Sequence, residues 1–264
     1  MLRLGAPARL VPQSQARSPV EVTIIVLSAI DQERFGLVTA RDGDVTAMML
    51  PQTLAFCRSN GVQLLIARCR TEELAAAQAL ERAGARLMDT LVYYVRVIVK
   101  GELPENTCKV VIRPVRPGED EAVRRVAAES FRGYRGHYHA DPRLDPAKCD
   151  EAYQSWAQRS CLSRDVAGEV LVADDGAVAG FATLRLNEPA EGEGVLFAVA
   201  PRAQGAGVYK AFMIEGMRWC RAQGAKRMVV STQVTNLAVQ KVWTRLGFEP
   251  SHSYYTFHLW FDEA

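Results

Sequence analysis

Val195-Leu196-Phe197-Ala198-Val199-Ala200-Pro201-Arg202-Ala203-Gln204-Gly205-Ala206-Gly207-Val208-Tyr209-Lys210 reads as strand, turn and helix start in one run. Residues 195–199 are apolar and suit a strand. Pro201 ends it, having no N–H to give a ladder. Two glycines then precede a helix expected over 209–220, with one apolar face. Such a turn gathers free N–H groups at the positive end of a helix dipole, which makes an anion cradle. Glycine lets the backbone come close to a phosphate. Two other phosphate loops are excluded. G-x-x-x-x-G-K-[ST] is absent from this stretch, and the third glycine of G-x-G-x-x-G would be Lys210.

Downstream, Met228-Val229-Val230 suits a buried strand. Asn236 is placed to cap the next helix. Leu237, Val239, Val242, Trp243 and Leu246 supply helix-spaced apolar positions, Gly247 stops the helix, and 254–260 alternates like a strand. The unit recurs upstream. Gly61, Leu74, Ala75, Arg82 and Gly84 each stand 163 residues before an identical residue, at Gly224, Leu237, Ala238, Arg245 and Gly247. Two gapless copies of strand, loop, helix, Gly, strand point to a duplication. The earlier copy has no glycine-rich turn over 39–55, so one half alone carries an evident coenzyme site.

Residues 101–108 read as a linker, with Gly101 and Pro104 among polar residues. The expected organisation is a mobile tail over 1–20, a truncated α/β unit over 21–100, the linker, and a second domain over 109–264. The chain has 264 residues, a net charge of +2 and 48% apolar residues. Nothing in that balance marks a nucleic-acid partner, and no apolar run is long enough for a membrane span. The six cysteines form no C-x-x-C pair, so neither a metal nor a disulfide framework is expected, and the thiols fit a reducing cytoplasm.

Arg202-x-x-Gly205-x-Gly207 resembles the R/Q-x-x-G-x-G/A motif of the GNAT superfamily of N-acetyltransferases. The helix begun by Asn236 and ended by Leu246-Gly247-Phe248 is similar to the same superfamily's C-terminal signature. The opening Val111 to Val115, with Asp120 and Glu121, resembles its first strand and helix start. The resemblance covers about 109–264. It implies an α/β (α+β) fold: a mixed sheet splayed between its fourth and fifth strands, flanked by helices, here preceded by a smaller half-GNAT-like unit. It further implies acetyl-CoA as co-substrate and no metal. Pantetheine would lie along Phe197, Ala198 and Val199, and the pyrophosphate would be held by backbone N–H groups of Gln204, Gly205, Ala206, Gly207 and Val208, with Arg202 and Ala203 also in the coenzyme site. Asn236 would face the coenzyme or acetyl group. A homodimer is implied by family resemblance alone.

Within the superfamily, Phe35-Gly36, the segment 138–156 and Thr232 to Asn236 are most similar to the dTDP-fucosamine acetyltransferases. That implies a nucleotide-linked deoxy-aminosugar as acceptor, in surface-polysaccharide synthesis. The stretch 131–156 reads as an irregular loop with one helix. Its Tyr138, His139, Arg143, Tyr153 and Trp156, with Gln233, are candidate acceptor contacts, since aromatics stack on rings and Arg grips phosphate. An acetyltransferase for a peptide or another small amine is the alternative, and a non-catalytic acyl-CoA-binding protein is a second.

Acetyl transfer needs a base for the ammonium and a donor for the thiolate. Glu193, at the start of the strand, is the candidate base through water, and Glu191 its alternate; the competing reading makes both solvated acids of a loop over 187–194. Backbone N–H near Val199 would polarise the carbonyl. Many family members carry a tyrosine seven residues after the asparagine, where this chain has Trp243. An indole N–H donates only and cannot protonate a thiolate. Trp243 is therefore expected to hydrogen-bond or to shape the pocket, with Tyr209 or Tyr254 as candidate proton donors, the alternative being a thiolate that leaves without help.

Overall fold

The computed structural model describes residues 25–261, so the expected tail over 1–20 lies outside the described residues. Ten strands form one mixed sheet. The first copy of the repeat contributes β1 (Val26–Leu27), α1 (Ala29–Phe35), β2 (Thr39–Asp42), α2 (Leu50–Ser59), β3 (Leu64–Arg70), α3 (Leu74–Arg82) and β4 (Arg86–Val97). After 98–110, which hold neither helix nor strand, come β5 (Val111–Pro114), α4 (Asp120–Ser130), α5 (His137–Ala140), α6 (Pro146–Leu162), β6 (Glu169–Asp174), β7 (Val178–Glu188) and β8 (Glu191–Val199). The chain closes with α7 (Val208–Ala222), β9 (Arg227–Gln233), α8 (Leu237–Arg245) and β10 (Glu249–Trp260). The fold is the GNAT-like α/β arrangement, with helices on both faces of a mixed sheet.

The repeat is carried through to element boundaries. β3, α3 and β4 stand 163 residues before β9, α8 and β10, with the same first and last positions. The halves are nonetheless not two sheets side by side. The strand order is β1-β2-β3-β10-β4-β9-β8-β7-β6-β5, so each copy gives its last strand to the other. β10 pairs with β3 from Tyr254↔Arg70 to Trp260↔Leu64, and β4 pairs with β9 in the equivalent register from Leu91↔Gln233 to Val97↔Arg227. Between the exchanged strands Leu91 faces Tyr254, its own repeat equivalent, which marks a local pseudo-two-fold axis. The cores follow the exchange. Phe257 and Leu259 of β10 pack with Leu65, Leu80 and Cys57 of the first copy. Tyr94 of β4 packs on Trp243 of α8, ring centroids 5.3 Å apart.

Of the two readings of 187–194, the strand holds and the solvated loop does not: β7 and β8 meet in a tight hairpin, and Glu193 in β8 is 7% exposed. The stretch 131–156 is more regular than expected, holding α5 and most of α6. No helix among the described residues is long and apolar enough to cross a membrane.

Candidate active site

The site starts where two neighbouring strands part. β8 pairs with β9 in parallel only from Glu191↔Arg227 to Gly194↔Val230, while β8 itself runs on to Val199, bonded to β7 alone. From Val195 onward one edge of β8 has no strand neighbour, which leaves backbone groups available to a ligand. This is the split between the fourth and fifth strands of the C-terminal half.

The turn beyond β8 has the geometry expected of an anion cradle. Gly205 and Gly207 both lie at φ +80, a region L side chains rarely adopt, and a Cβ on either would point into open space. Gly207 caps α7 with no side-chain capping bond. The N–H groups of the first turn of α7 have no intrahelical acceptor. Gln204 reaches back to the Val199 carbonyl at 3.2 Å. Arg202 is turned away from the turn's mouth and hydrogen-bonds Asp175 and the Val178 carbonyl. Its charge braces the β6–β7 hairpin.

One cleft of about 490 Å³ runs through the split. Tyr209, Val239 and Trp243 line it from the α7–α8 face, and Tyr134, His137, Tyr138, Tyr153 and Trp156 from the α5–α6 face. Phe197, Glu193, Gln233 and Asn236 also stand in its wall. Asn236 does not cap α8; its Nδ2 donates to Thr232 Oγ1 at 3.0 Å. Trp243 is buried, and its indole N–H donates to the Tyr209 hydroxyl at 2.9 Å. Burial pushes the Tyr209 hydroxyl well above the ordinary phenol range, and the Trp243 bond opposes that only in part. Glu193 Oε2 takes both Nε and an Nη of Arg185, at 2.8 and 2.6 Å. Glu191 lies outside this lining and pairs with Arg227 at 2.6 Å.

Three expected site residues lie elsewhere. Tyr254 does not line the cleft; its ring packs with Tyr93 and His252. His139 turns along the helices to Asp150 at 3.0 Å. Arg143 lies over the Trp260 ring, 4.0 Å from its centroid. Conversely, the first copy supplies walls that sequence reasoning missed: Arg34, Arg41, Arg68, Asp89 and Tyr93. Arg41 reaches buried Asp31 at 2.6 Å and also bonds Tyr138, whose hydroxyl donates to Asp31 at 2.6 Å. Burial alone would raise Asp31, but the bonds and charge of Arg41, helped by Ser28 and Tyr138, hold it below the usual carboxylate range. Arg68 has no carboxylate partner among the described residues within ion-pair reach. Alternating apolar and basic residues in β2 and β3, such as Ala40-Arg41 and Ala67-Arg68, were the available signal.

Residues 128–248 match the acetyltransferase (GNAT) family. A spore coat polysaccharide biosynthesis protein, SpsD of Bacillus subtilis, is 24% identical over 201 residues, covering 74% of this chain and 66% of that protein. A mycothiol acetyltransferase of Amycolatopsis mediterranei is 28% identical over 184 residues, covering 64% and 56%. The chain thus spans roughly half to two thirds of the curated relatives it matches. Among solved structures, a GCN5-related N-acetyltransferase from Sphaerobacter thermophilus superposes with a TM-score of 0.58 at 15% identity, covering 84% of this chain and 73% of that one. A tandem GNAT protein of the clavulanic acid biosynthesis pathway does so with the same score and identity, covering 87% and 77%.

Proposed function

We propose that this chain, with a GNAT family segment over 128–248 on a GNAT-like fold, transfers an acetyl group from acetyl-CoA to the amine of an anionic small molecule. The carrying observation is the cleft that passes through the split sheet. On its α7–α8 side it is lined by Tyr209, two residues past Gly207, and the free N–H groups of the glycine turn suit a pyrophosphate. Phe197 to Val199 present the unpaired strand edge that suits a pantetheine amide chain, with Asn236 across from it. Its α5–α6 side is open to an acceptor. Two substrates entering from opposite faces would meet between the strands, and holding them there supplies most of what a bimolecular transfer needs.

The acceptor wall carries Arg34, Arg41, Arg68, Arg159 and Arg185; Asp31 pairs Arg34 and Arg41, Glu33 faces Arg159 and Glu193 pairs Arg185, which leaves Arg68 without a carboxylate partner among the described residues. Arg68 among aromatic rings favours an anionic ring-bearing acceptor, because Arg pairs bidentately with phosphate and the rings stack. A nucleotide-linked deoxy-aminosugar has both features, and the name of the Bacillus subtilis relative agrees with such a role. Tyr209 is the proposed proton donor to the departing thiolate, with Trp243 as the positioning residue that fixes its hydroxyl. Acetyl-CoA consumption should be assayed against nucleotide-linked aminosugars, amino acids and peptides. Turnover confined to uncharged or cationic amines would reject the anionic acceptor, and no turnover with any amine would reject the enzyme.

A further inference from the structure

A buried file of three side chains ends at the acceptor wall of the cleft. Asp141 Oδ1 accepts from the Arg143 N–H at 3.0 Å, and Oδ2 accepts from Trp260 Nε1 at 2.9 Å. The same Oδ2 lies 2.7 Å from His258 Nδ1, and His258 Nε2 lies 2.9 Å from His137 Nδ1. Asp141, His258 and His137 are 3%, 1% and 8% exposed, so water does not scramble the file. It joins α5 and the turn directly after it to the exchanged strand β10, remote in sequence.

The file has a direction. Burial alone would raise Asp141, yet the bonds from His258, the Arg143 backbone and Trp260 outweigh it and keep the carboxylate ionised. An ionised carboxylate only accepts, so His258 presents Nδ1–H to Asp141, and in its neutral form it leaves Nε2 bare. A bare Nε2 must be met by a donor, so His137 carries its proton on Nδ1. The remaining nitrogen, His137 Nε2, is then an unshared acceptor, with no hydrogen bond to any described residue, on a side chain that lines the cleft.

We propose that His137 Nε2 takes the proton from the acceptor's ammonium group, with His258 and Asp141 as positioning residues that fix its tautomer. The proposal rests on the acetyl-transfer reading. The ammonium gives one proton to Nε2, and the neutral amine then forms the C–N bond to the thioester carbonyl. The C–S bond breaks, the thiolate takes a proton from Tyr209, the second amine proton passes to solvent as the amide forms, and exchange with solvent returns a proton to Tyr209 and removes one from His137. Positive charge on His137 is offset through His258 by Asp141. Glu193 is less available for this step, because Arg185 already occupies Oε2.

His137 is neutral before substrate arrives. Burial, then His258, Arg41, Arg68 and His139 hold it well below the usual imidazole range. The groups that face it or share its wall are Arg41 on β2, Arg68 on β3, Asp89 on β4, Tyr153 on α6, His258 on β10, and Tyr138 and His139 on its own helix. An anionic acceptor would cancel part of the field of Arg41 and Arg68 and so raise the proton affinity of Nε2 when it is needed.

Two measurements on the full-length protein decide the matter. Nitrogen-15 NMR of the four histidines should find His137 and His258 both as neutral Nδ1–H tautomers at pH 7. A His137 proton on Nε2 would overturn the proposal. In kinetics with a dTDP-linked 4-amino-sugar, or whichever panel amine the wild type acetylates, His137→Gln should lower kcat about 100- to 10,000-fold. The KM for acetyl-CoA should stay within about twofold, and the residual rate should climb with pH as free amine accumulates. If that variant misfolds, Asp141→Asn loosens the tautomer without touching the cleft and should lower kcat with KM unchanged. Wild-type kcat and pH profile in either folded variant would sink the assignment. A wild type that acetylates no amine would instead sink the acetyl-transfer reading, leaving the tautomer result to stand separately.

Discussion

The first copy of the repeat runs β2, α2, β3, α3, β4, and the second runs β8, α7, β9, α8, β10. From β3 and β9 onward the two agree residue for residue in element boundaries and in the register of the exchanged strands. Before that point they part. The parallel partners Thr39 and Leu64 are eleven residues closer in sequence than their equivalents Glu191 and Arg227. The missing residues correspond to the splayed end of β8, part of the turn after it and the start of α7. Packing tolerates that loss, because α2 still covers β3 through Leu50, Thr53 and Cys57. Ligand chemistry does not, because the unpaired strand edge and the free N–H groups lie in those residues. The duplicated scaffold persists in both copies, and the candidate coenzyme site depends on a short insert in one.

The largest expected effect tests the exchange. Ending the chain after Phe248 removes β10, which fills the gap between β3 and β4 in the first copy. Both copies should lose cooperative folding, since β3 and β4 would each expose an unpaired edge and Phe257 and Leu259 would leave the first core. Retained protection of the β3 amides in hydrogen exchange would show that the first copy stands without its exchanged strand. For the same reason an isolated fragment ending near Thr107 is a poor test of coenzyme binding, as it lacks β10.

The next effect tests the insert. Gly205→Val puts a β-branched residue at φ +80, a strained region, in the turn where the backbone must approach the ligand. Acetyl-CoA affinity should fall at least about thirtyfold, a loss on the order of 2 kcal/mol. Calorimetry on the wild type should give one acetyl-CoA per chain. Two equivalent sites would mean that the shorter opening between β2 and α2 also binds coenzyme.

How far the sequence reveals this follows from the range of each signal. Gly61, Gly84, Gly224 and Gly247 punctuate helices locally, so the repeat and its helices are legible, and the glycine turn before α7 likewise. The exchange is not. β4 and β10 each read as strands with alternating sides, and nothing local says which copy they will pair with. The acidic, glycine-rich Glu191-Gly192-Glu193-Gly194 reads either as the start of a strand or as a solvated loop, and it is strand, with Glu193 buried. A Cβ at Gly194 would come within 2.7 Å of the Phe197 ring, so the glycine serves close packing. Arg34, Arg41 and Arg68 escape notice because only the tertiary fold brings the first copy's basic residues to the second copy's cleft.

A smaller effect concerns the donor. Tyr209→Phe should lower kcat about 10- to 100-fold with acetyl-CoA affinity nearly unchanged, on the scale of a lost general acid. Trp243→Phe should cost less, because the hydroxyl remains and only its fixing bond at 2.9 Å is lost. An unchanged kcat in Tyr209→Phe would mean the thiolate leaves unassisted.

The smallest expected change in stability comes from the pair Asn236 and Glu73, which occupy the same place in the two copies. Both precede a helix, with φ −82, ψ 67 at Asn236 and φ −88, ψ 62 at Glu73, and neither side chain makes a capping bond. Asparagine is among the better capping residues and glutamate is not, yet the backbone is the same with either. Capping therefore does not explain Asn236. Its Nδ2 turns to Thr232 and its side chain joins the cleft wall, while Glu73 is absent from that wall. Asn236→Ala should then destabilise the protein by less than about 0.5 kcal/mol, where a true cap loses about 1. The same substitution should weaken acetyl-CoA binding or acetyl transfer severalfold. Glu73→Ala should leave both ligand measurements where they were. Urea unfolding and coenzyme titration on the two variants give the comparison directly. A loss near 1 kcal/mol at Asn236 with wild-type coenzyme affinity and turnover would return the residue to a capping role and remove it from the site.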